Sequence, residues 1–298
     1  MSREMKEFKT EKCSLLPMGS GLNGENLHFS INTKEALDKV ILFEHGTRKV
    51  AGYARVQEEE HFGDLYAFRV LNAAHYDYAL MAGEKYIRDE YAKAVNHYRL
   101  EDGTELETYS TYVDDFDWQD DERIFHPFED SVMYRLHVKG FTKHHSSGVQ
   151  NRGCYAGIVE KIPYLLELGV TTVELMPAYE FDEQIMSGRA RGTKNYWGYG
   201  TANYFAPKAG FSRYGKGSQI NEFKEMVREL HKNQIEVIME FHFVEGTSPH
   251  TIMDALRFWV LEYHIDGIHA NFNVAPLNMI KSDPIISMVK IISNYDTG

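Results

Sequence analysis

The period of the apolar residues changes once along this chain, and that change restricts the fold more than any other feature. In the first third the period is two or the runs are short, as in Leu27-His28-Phe29-Ser30-Ile31, Lys39-Val40-Ile41-Leu42-Phe43, Asp64 to Val70 and Tyr76 to Leu80. Gly, Asn, Asp and Lys turns separate them, the pattern of a small antiparallel sandwich. From Ser131 onward strand-like and helix-like stretches alternate. Strands are predicted at Ser131–Val138, Val170–Met176, Glu236–Phe241, Gly267–Asn271 and Lys290–Asn294. Between them, helical stripes run over Ala156–Leu168, Asn221–Lys232 and Ile252–Tyr263. Repeated βα units of this kind build a parallel sheet or barrel. The acidic stretch Asp114 to Glu122 has neither period, and it sets two predicted domains, 1–125 and 126–298.

Composition narrows the function. A chain of 298 residues that is 43% hydrophobic and 26% charged is ordinary globular protein. Its formal net charge of −12 opposes nucleic acid and anionic membrane surfaces, and no segregated basic patch offsets it. Two distant cysteines, Cys13 and Cys154, imply no disulfide framework. The charged N-terminus does not open a signal peptide, and no apolar run reaches spanning length, so a soluble cytoplasmic protein is expected.

Three local patterns bear on chemistry. Gly19-Ser20-Gly21-Leu22-Asn23-Gly24 fits the dinucleotide-binding spacing, but a strand rather than a helix follows it, so a glycine-rich turn is expected. Glu240, His242, Glu245 and His250 cluster in sequence without the spacing of a metal site, and neither metal nor cofactor is predicted. The densest aromatic patch runs from Asn195 through Tyr196, Trp197 and Tyr199 to Pro207. Such rings stack on the apolar faces of sugars, or they pack a loop onto the domain beneath; spacing alone leaves both open.

Three segments, Tyr134 to Thr142, Tyr155 to Leu165 and Val173 to Pro177, resemble parts of glycoside hydrolase family 13, in its isoamylase and pullulanase branch. Tyr134-Arg135-Leu136-His137-Val138-Lys139-Gly140-Phe141-Thr142 is similar to that family's first barrel strand. Tyr155 to Leu165 with Leu168-Gly169-Val170-Thr171 is similar to its first helix, and Val173-Glu174-Leu175-Met176-Pro177 to its second strand. Leu256 to Gly267 resembles the helix before the nucleophile strand, and Asn195 to Pro207 an aromatic loop of the family. The first third resembles a carbohydrate-binding module of family 48 through Pro17-Met18-Gly19, Gly63-Asp64-Leu65-Tyr66 and Asp89 to Lys93. The resemblance implies an N-terminal all-β sandwich followed by an incomplete TIM-type (β/α) barrel of about five strands. It also implies an α-glucan partner such as glycogen or starch oligosaccharides, with cleavage of α-1,6 branches the branch's usual activity.

The chemistry departs from that pattern. A retaining glycosidase needs a carboxylate nucleophile and a second carboxyl group as acid and base. The resemblance puts Asn271 at the nucleophile's place, His269 at that of the preceding arginine, and Ser293 or Asn294 at that of the acid/base. A neutral amide cannot form the glycosyl ester. Asp266 corresponds to a residue that the family keeps beside the nucleophile, so it is not a substitute. The third-strand motif reads Glu240-Phe241-His242-Phe243-Val244-Glu245, without the family's Asn-His pair. From Ser131 to Gly298 there are 168 residues, against about 250 in a complete barrel. A truncated product is therefore expected, with open strand edges that favour self-association.

These departures predict an α-glucan-associated protein that is catalytically inactive or impaired, with Tyr196, Trp197 and Tyr199 as its sugar-binding surface. Two alternatives stand beside it. One is an active debranching α-1,6-glucosidase that recruits Glu240, Glu245 or Asp296. The other is a non-catalytic assembly protein that docks a partner through open barrel edges.

Overall fold

The computed structural model describes residues 5–99, 105–111, 115–183 and 194–293. Asn294 and Asp296, two of the candidate site residues, lie outside them. The chain divides into two compact units. One is Met1–Asp114 with Gly215–Ile220, the other Asp115–Tyr214 with Asn221–Gly298. Residues 115–125, which the sequence groups with the first domain, therefore pack with the second. The reason is a pair of distant histidines: Asp121 Oδ1 meets His231 Nδ1 at 2.9 Å and Asp121 Oδ2 meets His264 Nδ1 at 2.7 Å.

The first unit holds two sheets, of seven and five strands. Alternation along Asn26–Asn32, Leu65–Val70 and Tyr76–Ala82 turns Phe29, Phe68 and Tyr78 into the space between them. Phe29 stacks on Phe68 at 5.1 Å, and Tyr78 meets Phe29 edge-on at 4.9 Å. The Tyr78 hydroxyl is buried with them and donates to Asp89 while accepting from Ser20, both at 2.5 Å. Burial, reinforced by the Asp89 charge, holds its pKa well above the usual tyrosine range. The glycine-rich segment is a strand, Gly19–Asn23, paired antiparallel with Asn26–Asn32. Only Gly24, at φ +59°, serves the turn between them. A phosphate loop needs a helix after it; the ladder leaves none.

In the second unit five parallel strands lie side by side in sequence order: Met133–Leu136, Thr172–Leu175, Glu236–Phe241, Gly267–Ala270 and Lys290–Ser293. Among the described residues this sheet is open, with the first and fifth strands at its edges. Helices Gln219–Lys232 and Pro249–Glu262 bury Phe223, Met226, Val227, Leu230, Leu256 and Trp259. The predicted helix over 156–168 is two short ones, Tyr155–Val159 and Ile162–Glu167. Pro163 explains the break: it has no N–H to return to the preceding turn and starts the second helix at its second position.

Strand register sorts the side chains by face. Arg135 pairs with Glu174, Glu174 with Ile238, and Glu240, two residues on, with His269. Period two therefore places all of these on one face of the sheet. Two polar layers result. Near the N-terminal ends of the strands, Glu236 accepts from Thr172 Oγ1 at 2.6 Å and pairs with Lys290 at 2.5 Å. Near the C-terminal ends lie Arg135, Glu174, Glu240 and His269.

Candidate functional site

The C-terminal ends of the parallel strands converge on a layer of charges. Arg135 Nη2 reaches Glu240 Oε2 at 2.5 Å and its Nε reaches Glu174 Oε1 at 3.2 Å. His269 Nδ1 meets the same Glu174 oxygen at 2.7 Å. The Tyr199 hydroxyl donates to Glu240 Oε1 at 2.9 Å and accepts from Arg135 Nη2 at 3.1 Å. Both glutamates are buried, whereas the Arg135 side chain is about half exposed. Desolvation pulls the Arg135 pKa down, but its bond to Glu240 outweighs that and raises it. Burial and the neighbouring Glu240 charge push the Tyr199 hydroxyl up to about 12, so it stays a donor at neutral pH.

The aromatic loop is fastened to this layer through His137. Its Nε2 donates to the Tyr196 carbonyl at 2.8 Å and its Nδ1 accepts from Gly140 N–H at 2.9 Å. Those two bonds fix one neutral tautomer. Burial lowers the His137 pKa, which agrees with a ring that carries a single proton. Tyr196 lies flat on His137, 4.4 Å and 10° apart, and Trp197 stands edge-on to both. Asn195 ties the loop from within: Oδ1 accepts from Gly198 N–H at 3.1 Å, and Nδ2 donates to the Asp182 and Tyr199 carbonyls. Tyr196 and Trp197 are left 41% and 50% exposed. Of the two roles left open by its composition the structure shows the packing one: one face of Tyr196 lies on His137, while the Trp197 indole stays half exposed.

Gly198 is required for that shape. It sits at φ +83°, and a Cβ there would lie 2.8 Å from Pro177 Cβ and 2.9 Å from the Phe181 ring. Gly198→Ala is expected to cost at least about 1–2 kcal/mol from the left-handed backbone alone. It should also displace Trp197, which a thermal melt and the tryptophan emission maximum would both report.

Asn271 follows the fourth strand and is 8% exposed. Its Oδ1 accepts from Phe243 N–H and its Nδ2 donates to the Phe243 carbonyl, both at 2.8 Å. The amide is spent on holding the chain beyond the third strand. His269 is spent on Glu174, and Ser293 closes the fifth strand beside Ala270. Glu240 is held by Arg135 and Tyr199, while Glu245 lies exposed in the following loop. His242 packs against the Tyr199 ring at 5.2 Å, and burial lowers its pKa. Among the described residues no three His, Cys, Asp or Glu side chains are grouped to hold a metal ion. Asp266, set aside above, is an N-terminal-end residue: its Oδ2 accepts from Val237 N–H and pairs with His231, both at 2.8 Å.

Arg135, Glu174 and His137 were not among the residues singled out for function. For Arg135 and Glu174 the signal was present, since a charged side chain inside a strand of a parallel sheet is otherwise hard to bury.

The α-amylase catalytic domain model matches residues 112–251. Rice isoamylase 1, a chloroplastic protein (Oryza sativa subsp. japonica), is 37% identical over 64% of this chain and 33% of its own length. A glycogen operon protein GlgX homolog of Mycobacterium tuberculosis is 34% identical over 61% of this chain and 34% of its own. By these matches the chain is similar to the α-amylase family, in its isoamylase-like branch. Among solved structures, the pullulanase SAP of Group B Streptococcus in complex with maltotetraose superposes with a TM-score of 0.75 at 18% identity. That superposition covers 93% of this chain and 45% of the other, a likeness of fold. The chain spans about a third of the length of these curated relatives.

Proposed function

We propose that this chain holds an α-glucan against the aromatic loop at the C-terminal ends of the parallel strands, without hydrolysing it. The five strands in sequence order would be the first part of a (β/α) barrel, and the N-terminal sandwich would be a carbohydrate-binding-module-like domain. The observation that carries the proposal is the state of Asn271. At the place the family resemblance gives to the nucleophile stands a neutral amide, with both ends of its side chain bonded to the Phe243 backbone. Glycosyl transfer needs an anion free to attack the anomeric carbon. The two buried carboxylates nearby, Glu174 and Glu240, are both paired with Arg135. Ser293 offers no group that protonates a leaving alcohol near neutral pH. The exposed ring surface of Trp197 and Tyr196, by contrast, remains available to the apolar face of a sugar.

The test is calorimetric titration with glycogen and maltohexaose, with reducing ends assayed in the same tubes. Binding with no new reducing ends is expected. Trp197→Ala should weaken that binding ten- to a hundredfold. Removing contact with about 100 Å² of an indole, at about 25 cal/mol per Å², is about 2.5 kcal/mol. New reducing ends from the unaltered chain would sink the proposal and direct attention to Glu240 and Glu245.

A further inference from the structure

At the opposite, N-terminal end of the same strands lies a cavity of about 530 Å³ that the proposed site does not use. It is bounded by the segment from Trp118 to His126 and by the end of the helix that carries Arg228 and Lys232. Its volume falls within the range of about 300–1,000 Å³ usual for small-ligand sites. Two features identify what it would take.

The first is an aromatic platform. Trp118 is covered on one face by His264, at 3.8 Å and 14°, and is propped at 4.9 Å by the edge of Phe116. His264 is in turn held by Asp121, so the indole sits on a rigid backing. A turn closed by Asp121 N–H on the Trp118 carbonyl, with Gln119 at φ +55°, presents the ring to the cavity.

The second is charge. The cations that line the cavity are already engaged. His231 lies between Asp121 and Asp266. Lys232 pairs with Glu229, and Arg228 bonds Glu229 and the Asp117 carbonyl. Arg123 donates to the Val260 carbonyl. Asp120 and Glu122, exposed on the rim, would repel an anion. An indole face with Asp120, Glu122 and Gln234 about it, and cations held by other partners, instead suits a neutral polyhydroxylated ligand. Its C–H face lies on the ring, and its hydroxyls bond Asp120, Glu122 and Gln234.

We infer that this cavity is a second saccharide site, with Trp118 as its stacking platform and a linear maltooligosaccharide as its ligand. The assignment rests on the glucan-holding function proposed above and makes the chain bivalent. Two sites at opposite ends of one sheet let one molecule grip two glucan chains, and linked binding of this kind raises avidity without new contacts.

The chain's three tryptophans separate the two sites. Trp118 lines the cavity, Trp197 lies on the aromatic loop and Trp259 is fully buried. Trp197→Phe silences the loop as a reporter, so maltohexaose is expected to change its emission saturably through Trp118. The change should vanish in the Trp118→Phe, Trp197→Phe double variant. Should that variant fail to fold, Asp120→Ala with Glu122→Ala in the Trp197→Phe background decides, because both residues are exposed. About tenfold weaker binding is expected there.

Inorganic phosphate at matched ionic strength should leave the emission unchanged. A phosphate response would overturn the assignment to a neutral sugar. A sugar response in the unaltered chain that disappears with Trp197→Phe would overturn the cavity site and leave the loop standing. A response kept in Trp197→Phe but absent from Trp118→Phe would keep the cavity and remove the loop. Silence in all variants would overturn the cavity, with calorimetry on the unaltered chain judging the loop separately.

Discussion

His231→Ala is expected to destabilise the second unit by about 3–5 kcal/mol, the usual penalty for removing one partner of a buried ionic cluster. Both ring nitrogens of His231 face carboxylates, Asp121 at 2.9 Å and Asp266 at 2.8 Å, and all three side chains are only 2% exposed. A ring that donates twice is an imidazolium. Desolvation works against that charge, but the two aspartates outweigh it and raise the pKa from 6.5 to about 9. At about 1.4 kcal/mol per pH unit, this contributes about 3 kcal/mol to folding. The sign follows from the raised value. The contribution is complete below pH 6.5, the unfolded pKa, and is lost as pH rises through about 9.

Asp121 behaves oppositely. Burial would raise its pKa, but bonds to His231 and His264 hold it below the ordinary range. Its contribution is present above about pH 4 and is lost as the pH falls through its lowered value. Urea melts of the unaltered chain should therefore show greatest stability between about pH 4 and 6.5, then a decline toward pH 9–10. The gap between the unaltered chain and His231→Ala should narrow over that decline, because a neutral ring keeps one N–H for two carboxylates. A variant within 1 kcal/mol of the unaltered chain at pH 6 would mean the cluster does not hold the acidic segment in place.

That segment also marks where sequence legibility ended. Strands such as Glu236–Phe241 and Lys39–Glu44 were readable because their apolar runs are local and end at turn residues. The attachment of Asp121 was not, since its two partners lie 110 and 143 residues away and no local pattern connects them. Helix continuity across Glu160 failed for the opposite reason. The apolar stripe is continuous, but Pro163 inside it interrupts the backbone hydrogen bonding, which the stripe does not report. At the site, Asn271 and His269 were legible only through the family resemblance, which puts them where the chemistry would need other residue types. How those residues are occupied was not. The grip of Asn271 on Phe243 and of His269 on Glu174 depends on strands brought into register by the whole sheet. Trp197 and Tyr199 were legible as an aromatic patch. Which of them points outward was set by Gly198 and Asn195, through bonds that composition does not encode.

Placing a carboxylate at Asn271, the position that the family resemblance gives to the nucleophile, is not expected to produce hydrolysis. In Asn271→Asp an anionic oxygen replaces Nδ2 and faces the Phe243 carbonyl, which the amide now reaches at 2.8 Å. One hydrogen bond becomes a repulsion in a site only 8% exposed. A loss of about 2–4 kcal/mol is expected, toward the upper end of what unsatisfied buried groups cost because the group is charged. Protonation removes the repulsion, since a carboxylic acid can donate where the amide did. The new carboxyl group therefore titrates above about 3.9, the value it has unfolded. The penalty is fully present at neutral pH and is relieved as pH falls through the raised value, the reverse of the Asp121 case. Glycogen and maltohexaose should still yield no reducing ends. The Phe243 backbone holds the side chain away from attack, and Ser293, at the end of the fifth strand, supplies no acid. If Asn271→Asp instead kept its stability and released reducing ends, a proton donor would already be in place. The unaltered chain would then be one substitution from a working debranching enzyme.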